Sequence, residues 1–139
     1  MPKNYEIFEH TADIGIRIKG KDLKELFEKA GLSIFEVSSR RQFTKDKTHI
    51  NLTVRQRAEN LESLFINWLN ELISLSAAES LIFHKIDVKK IDEGSLGAVV
   101  TGSSTNNYKV NIEIKAATYH GLKILHNNDG YIAEVILDV

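Results

Sequence analysis

The broadest apolar pattern in the chain lies between residues 61 and 75 and predicts a long helix at the centre of the fold. Apolar side chains recur there every three or four residues, as they do along one face of a helix: Leu61, Leu64, Phe65, Trp68, Leu69, Leu72, Ile73 and Leu75. Asn60 precedes this run and is suited to cap the helix. Because Trp68 lies inside the stripe, we expect its ring to pack in the core rather than to serve as a stacking platform.

A shorter helical pattern precedes it. Asp22 and Glu25 match a capping box, in which each side chain accepts a backbone N–H of the first turn. The apolar residues that follow share one face of a helix: Leu23, Leu26, Phe27, Ala30, Ile34 and Phe35. We expect this helix to face the core.

Most of the remaining chain alternates apolar and polar residues with a period of two, which is typical of strands. The predicted strands are residues 5–9, 14–19, 50–55, 81–88, 96–101, 108–114, 122–125 and 131–137. Asp129-Gly130 predicts a type I′ turn between the last two, and the basic segment 38–47 is predicted to be an exposed loop or irregular edge. Together these patterns predict one α+β domain over residues 1–139, with two amphipathic helices packed on mostly antiparallel β-sheets.

Composition limits the classes of function. The chain has 139 residues, 18 Lys and Arg against 19 Asp and Glu, and no cysteine. A formal net charge of −1 creates no overall field for nucleic acid, so RNA contact is expected to be local or indirect. No run approaches the roughly 18 apolar residues of a membrane span. We expect a soluble cytoplasmic protein with no membrane partner.

No self-contained catalytic signature is present. The sequence lacks the phosphate loop, the dinucleotide-binding glycine motif, the nucleophile elbow of hydrolases and the paired histidines of zinc proteases. Its five histidines show no close ligand spacing. The familiar self-contained nucleotide-binding and hydrolase signatures are therefore missing, and a small metal-dependent hydrolase is disfavoured because no base or substrate pocket is evident.

Two polar clusters and the last residues are the candidates for function. The run from His10 to Gly15 contains Asp13, which is either a hard oxygen ligand or a turn residue bonded to its own backbone. A second run extends from Lys115 to Gly121 and includes His120. The chain ends at Asp138 and Val139, after a strand pattern that would fix this end in a sheet. Clustered carboxylates would repel each other unless a cation or a basic partner lay among them.

These residues resemble the archease family. The resemblance rests on His10-Thr11-Ala12-Asp13-Ile14-Gly15, on Lys115-Ala116-Ala117-Thr118-Tyr119-His120-Gly121, on the ending Ile136-Leu137-Asp138-Val139 and on the Trp68-Leu69 helix. It spans nearly the whole chain. It implies an accessory protein without catalytic activity of its own, whose partner is the RtcB-type RNA ligase of tRNA splicing. Such a protein promotes guanylylation of the ligase and multiple turnover, and it broadens the range of nucleotides that the ligase uses.

The resemblance also implies site residues. By the family pattern, Asp13, Asp138 and Val139 hold a divalent metal ion, usually calcium. His10, Lys115 and His120 would then contact the partner or orient the ligands. An alternative within the same resemblance is a chaperone-like modulator of RNA-processing proteins such as a tRNA cytosine methyltransferase, which would act through an exposed apolar patch.

Overall fold

The computed structural model describes residues 4–9 and 13–139. Within them the chain forms two α-helices and nine strands, with one short 3-10 turn at Thr105–Asn107. The helices are α1 (Leu23–Ser38) and α2 (Leu61–Glu79). The strands are β1 (Glu6–Glu9), β2 (Ile14–Gly20), β3 (Ser39–Arg41), β4 (Ile50–Arg57), β5 (Leu81–Ile91), β6 (Ser95–Ser104), β7 (Tyr108–Val110), β8 (Ala116–Asn127) and β9 (Gly130–Asp138). The predicted α+β fold is confirmed.

The strands form two main sheets and a small one, and every pairing is antiparallel. The first sheet has the order β1-β2-β9-β8, and the second has the order β4-β6-β5. Strands β3 and β7 make the two-stranded sheet. Because β9 lies between β2 and β8, the last strand of the chain is an interior strand of the first sheet. Its end is therefore fixed on both sides.

The core lies between the two helices and the inner faces of the two main sheets. Helix α1 packs on β2 and β5, while α2 packs on β8 and on α1. Trp68 is fully buried, and its indole N–H donates to the Phe27 carbonyl at 2.9 Å. This bond joins the two helices and satisfies the only polar atom of the indole, which confirms the prediction that Trp68 packs in the core.

Both predicted helix caps are present. Asp22 accepts the N–H of Glu25 at 2.8 Å, and Asn60 accepts the N–H of Ser63 at 2.8 Å. Glu25 accepts the N–H of Lys21 at 3.1 Å, one residue earlier than a standard capping box places it, and this bond lowers the pKa of Glu25. Neither helix is long and apolar enough to cross a membrane.

The strand predicted for residues 108–114 is too long. Strand β7 ends at Val110, because the next two backbone N–H groups, those of Asn111 and Ile112, donate to the Ser38 carbonyl at the end of α1. These two N–H groups therefore bond to a free carbonyl at the end of a helix and not to a neighbouring strand. The same segment gives the basic stretch 38–47 a partner, since its first part is β3, paired with β7.

The prediction of a type I′ turn before β9 is also wrong. That turn needs a positive φ at both Asp129 and Gly130, and Asp129 does not have one. The positive φ, +122°, belongs to Gly130, where a Cβ would lie 2.4 Å from the Gly20 carbonyl oxygen. Glycine is required here because the turn packs directly against the end of β2.

Candidate functional site

The strand register brings the three sequence motifs to one end of the first sheet. Strand β2 pairs with β9 from Ile14 opposite Leu137, so Asp13 and Asp138 are the next residues at that end. On the other side of β9, Asp138 pairs with Ala116 of β8, and the Lys115 N–H donates to the Asp138 carbonyl at 2.8 Å. We call Asp13, Asp138 and Val139 the acidic corner. Segments that are more than 100 residues apart in sequence thus meet there because β9 lies between their strands.

Along β9 one side chain in two faces the core. Ala133, Val135 and Leu137 are buried against the helices, and Asp138, which follows them, is exposed. Asp13, which immediately precedes β2, is partly exposed. Two carboxylates at one end of a sheet are suited to receive a cation or a basic group of a partner.

Among the described residues, side chains alone do not complete a metal site at the acidic corner. Across residues 4–9 and 13–139, no three side chains of His, Cys, Asp or Glu are grouped so that they could hold a metal ion. A cation here would depend on the two carboxylates together with main-chain oxygens, such as those of Val139, and water. Such a mixed oxygen set suits calcium, which accepts six to eight oxygens in flexible geometry.

Next to the acidic corner, side chains on the outer face of the first sheet contact one another through Phe8 and Arg17. The ring of Phe8 covers Gly15, where an added Cβ would lie 2.3 Å from a ring carbon. The Arg17 guanidinium stands 5.4 Å from the centre of that ring and donates to Glu134 at 2.6 Å and to Glu6 at 3.2 Å. The hydrogen bond to Glu134 raises the pKa of Arg17 most strongly, with Glu6 adding to it. Arg17 is therefore engaged with these two carboxylates.

The second motif forms part of a strand, although the sequence predicted strands only before and after it, at 108–114 and 122–125. Strand β8 runs through it, but its pairing with β9 shifts between Thr118 and Lys123, so that four residues, 119–122, stand against Val135 alone. Gly121 takes a φ of +66° inside this wide bulge. Bulges of this kind re-aim side chains. Here the bulge leaves Tyr119 and His120 exposed on β8, while Lys115 lies at the start of the strand beside Asp138.

Asn70 of α2 holds the second motif in place, and sequence reasoning missed it. Its amide nitrogen donates to the Ala117 carbonyl at 3.1 Å, and its amide oxygen accepts the Ala117 N–H at 2.7 Å. Ala117 is buried, so both backbone groups would otherwise lack water. The sequence did show a polar residue beside the apolar stripe of α2, and this could have indicated a buried hydrogen bond. Only the packing of α2 on β8 reveals what it binds.

His10 lies outside the described residues, so its predicted role has no structural test. The other predicted site residues are described, and the register brings Asp13, Asp138, Val139 and Lys115 to the same end of the sheet. His120 follows on the bulge of β8.

An open cleft begins at Lys115. It has a volume of about 470 Å³ and lies between the C-terminal halves of α1 and α2 and the segment that follows β7. Five isoleucines (Ile34, Ile73, Ile82, Ile112 and Ile114) and four serines (Ser38, Ser74, Ser76 and Ser80) are among its lining residues. The cleft therefore combines apolar and small polar side chains, and it includes Lys115, whose N–H donates to the Asp138 carbonyl.

Comparison with known proteins identifies the family of this chain. The sequence profile of the Archease protein family (MTH1598/TM1083) matches residues 5–139. The protein archease of Methanosarcina acetivorans is 36% identical, over 99% of this chain and 97% of the relative. The solution structure of Methanobacterium thermoautotrophicum protein 1598 is similar with a TM-score of 0.72 and 30% identity, over 99% of this chain and all of that one. The crystal structure of a Thermotoga maritima archease, described as a possible chaperone, shares the fold with a TM-score of 0.64 and 24% identity, over 95% and 94% of the two chains. The chain therefore belongs to the archease family.

Proposed function

We propose that this protein activates an RtcB-type RNA ligase of tRNA splicing through the acidic corner. It promotes guanylylation of the ligase and multiple turnover, and it broadens the nucleotides that the ligase accepts. Membership of the family supports an accessory role. The observation that supports the site is the register that brings Asp13, Lys115 and Asp138 to one end of three adjacent strands.

In this proposal the acidic corner holds a divalent cation, calcium by the family pattern. Asp13 and Asp138 supply carboxylate oxygens, and Val139 supplies a main-chain oxygen. When bound, the cation neutralises the two carboxylates and offers positive charge to oxygens of the partner. Lys115 and His120 flank the corner and contact the ligase. The chemical steps belong to the ligase, and this protein has no catalytic residue of its own.

Matched substitutions test the proposal. Asp13→Asn and Asp138→Asn remove charge while keeping shape, and Asp129→Asn makes the same change at the exposed turn at the far end of β9. Single-turnover guanylylation and multiple-turnover ligation by the cognate ligase are measured with each variant. We expect both corner variants to lose stimulation and Asp129→Asn to retain it.

A second readout does not involve the ligase. Calcium should raise the unfolding temperature of the wild type and of Asp129→Asn, and it should leave that of Asp13→Asn and Asp138→Asn unchanged. Without calcium, both corner variants should still unfold cooperatively, so that a lost response to calcium is not a loss of folding. Normal stimulation by both corner variants would show that the ligase is activated through another surface.

The open cleft favours a second candidate, a chaperone-like modulator of RNA-processing proteins such as a tRNA cytosine methyltransferase. Its apolar lining could shield an exposed apolar segment of a partner. Ala77 is exposed on the cleft wall, so Ala77→Arg obstructs the cleft without burying a charge. If Ala77→Arg abolishes protection of the methyltransferase from aggregation while Asp138→Asn does not, the chaperone-like function is supported.

A further inference from the structure

Strand β5 contains two bulges that concentrate basic residues on the outer face of the second sheet. Its pairing with β6 shifts between Phe83 and Lys85, and again between Val88 and Lys90. Each shift adds one residue to β5. His84 and Lys85 therefore stand against Thr101 of β6, and Lys89 and Lys90 stand against Gly97. His84 and Lys89 are the two extra residues, since neither has a partner of its own on β6.

The opposite edge of the sheet adds two arginines to the same surface. Val54 of β4 is buried, while Arg55 and Arg57 are exposed. The pairing of β4 with β6 places Arg55 against Gly97, in the same row as Lys90. We call Arg55, Arg57, Lys85, Lys89 and Lys90 the basic face. All five side chains are exposed.

Asp87 is the single acidic residue on β4, β5 and β6, and it is already neutralised. It accepts from Lys89 at 2.6 Å and from Lys24 of α1 at 3.0 Å. These two bonds lower its pKa to about 2. The surface thus retains a clear excess of positive charge, although the chain as a whole has a net charge of −1.

On the outer face of the second sheet, the middle strand, β6, carries short side chains. Its outward residues are Gly97, Val99 and Thr101, and a Cβ added at Gly97 would meet no atom within 4 Å. The flanking strands lie roughly 10 Å apart across it, at about 4.8 Å per strand. The basic face is therefore a shallow trough with cations along both sides.

We propose that the basic face binds the sugar–phosphate backbone of duplex RNA. The cations of β4 and β5 are spread over a surface that is too long for one small anion to contact, whereas a polyanion can contact all of them. Single-stranded RNA is held largely by stacking on aromatic rings. Of the two aromatic side chains on these three strands, Phe83 is buried in the core and His84 contacts the ring of His49. Asn51 and Thr53 are exposed beside the arginines and can contact 2′-hydroxyl groups. The choice of RNA over DNA rests also on the proposed role beside an RNA ligase.

Fluorescence anisotropy with the full chain and no ligase tests this directly. The probes are a labelled RNA hairpin, a single-stranded RNA of equal length and the matching DNA hairpin. The test variant is Arg55→Glu with Lys90→Glu. The control is Lys19→Glu with Lys123→Glu, which makes the same change in charge at exposed positions of the first sheet. Cooperative thermal unfolding checks that each variant is folded.

We expect the wild type to bind the RNA hairpin most tightly. The test variant should bind it at least tenfold more weakly at about 100 mM KCl, and its salt dependence should be shallower by about one unit of slope per lost phosphate contact. The control should bind within about twofold of the wild type. Asp87→Asn should bind more tightly than the wild type, because it removes the only anion of the trough.

The proposal is wrong if the test variant binds the RNA hairpin as the wild type does, or if the wild type fails to bind it. Equal affinity for single-stranded RNA or for the DNA hairpin would refute the preference for duplex RNA. If the test variant keeps its affinity for RNA but binds the ligase more weakly than the control does in a separate binding measurement, the basic face is a protein-docking surface. None of these results depends on stimulation of the ligase by the acidic corner, so the two proposals fail separately.

Discussion

Replacing Asn70 by alanine should loosen the second motif without touching any residue of it. Asn70 satisfies both the N–H and the C=O of Ala117, at 2.7 and 3.1 Å. Ala117 is only 4% exposed, so in the folded protein both of its backbone groups depend on this side chain. The substitution would leave a buried donor and a buried acceptor without partners.

The magnitude follows from these two bonds. Each backbone group left unsatisfied costs about 1–2 kcal/mol, so the pair costs about 2–4 kcal/mol. Alanine is the better helix former and returns about 0.5 kcal/mol. The free energy of unfolding should therefore fall by about 1.5–3.5 kcal/mol. For a chain of this size, that corresponds to a decrease in unfolding temperature of about 6–14 °C.

Asn67→Ala is the matched control, because Asn67 lies one turn earlier in the same helix and is exposed. It has the same gain in helix propensity and should be slightly stabilising. Urea unfolding gives the difference between the two variants, and hydrogen exchange at the Ala117 amide reports the local loosening. A difference below about 0.5 kcal/mol would show that strand pairing alone holds β8, and the reasoning would fail.

Two further predictions concern stability. Gly15→Ala should lower the free energy of unfolding by about 1–3 kcal/mol, because the new methyl group displaces the Phe8 ring that lies 2.3 Å from its position; Gly97→Ala, where nothing lies within 4 Å, serves as the control, and equal denaturation midpoints would contradict this. The pKa of His84 is lowered from 6.5, first by partial burial and then by cationic neighbours that include His49. The unfolded chain therefore binds the proton more readily, so stability should fall as the pH drops below about 6.5. His84→Gln should reduce this dependence in urea unfolding, and an unchanged dependence would assign it to other groups.

The sequence predicted the helices well because their signals are local. The Asp22 and Asn60 caps and the apolar stripes each involve residues within a few turns, and the structure confirms both helices. Strand limits were less certain. The end of β7 depends on the Ser38 carbonyl, which lies far away in sequence. A period-two pattern cannot show which partner a backbone N–H will find.

The candidate site shows the same division. The residue types and their order were enough to indicate the family and to select Asp13, Lys115 and Asp138 as candidates. Their placement at one end of one sheet came from the insertion of β9 between β2 and β8, which no local pattern encodes. The wide bulge of β8 was also missed, because an extra residue in a strand changes the register without changing composition.

By itself, the sequence determined the two helices, most of the strands and the chemistry available to the site, because capping and hydrophobic periodicity act over a few residues. Only the tertiary structure decided which strands are neighbours. That choice places the acidic corner at the end of the first sheet, gives Asn70 its partner and collects cations on the outer face of the second sheet. Strand pairing joins residues that are distant along the chain, so its outcome depends on the packing of the whole core and not on any one segment.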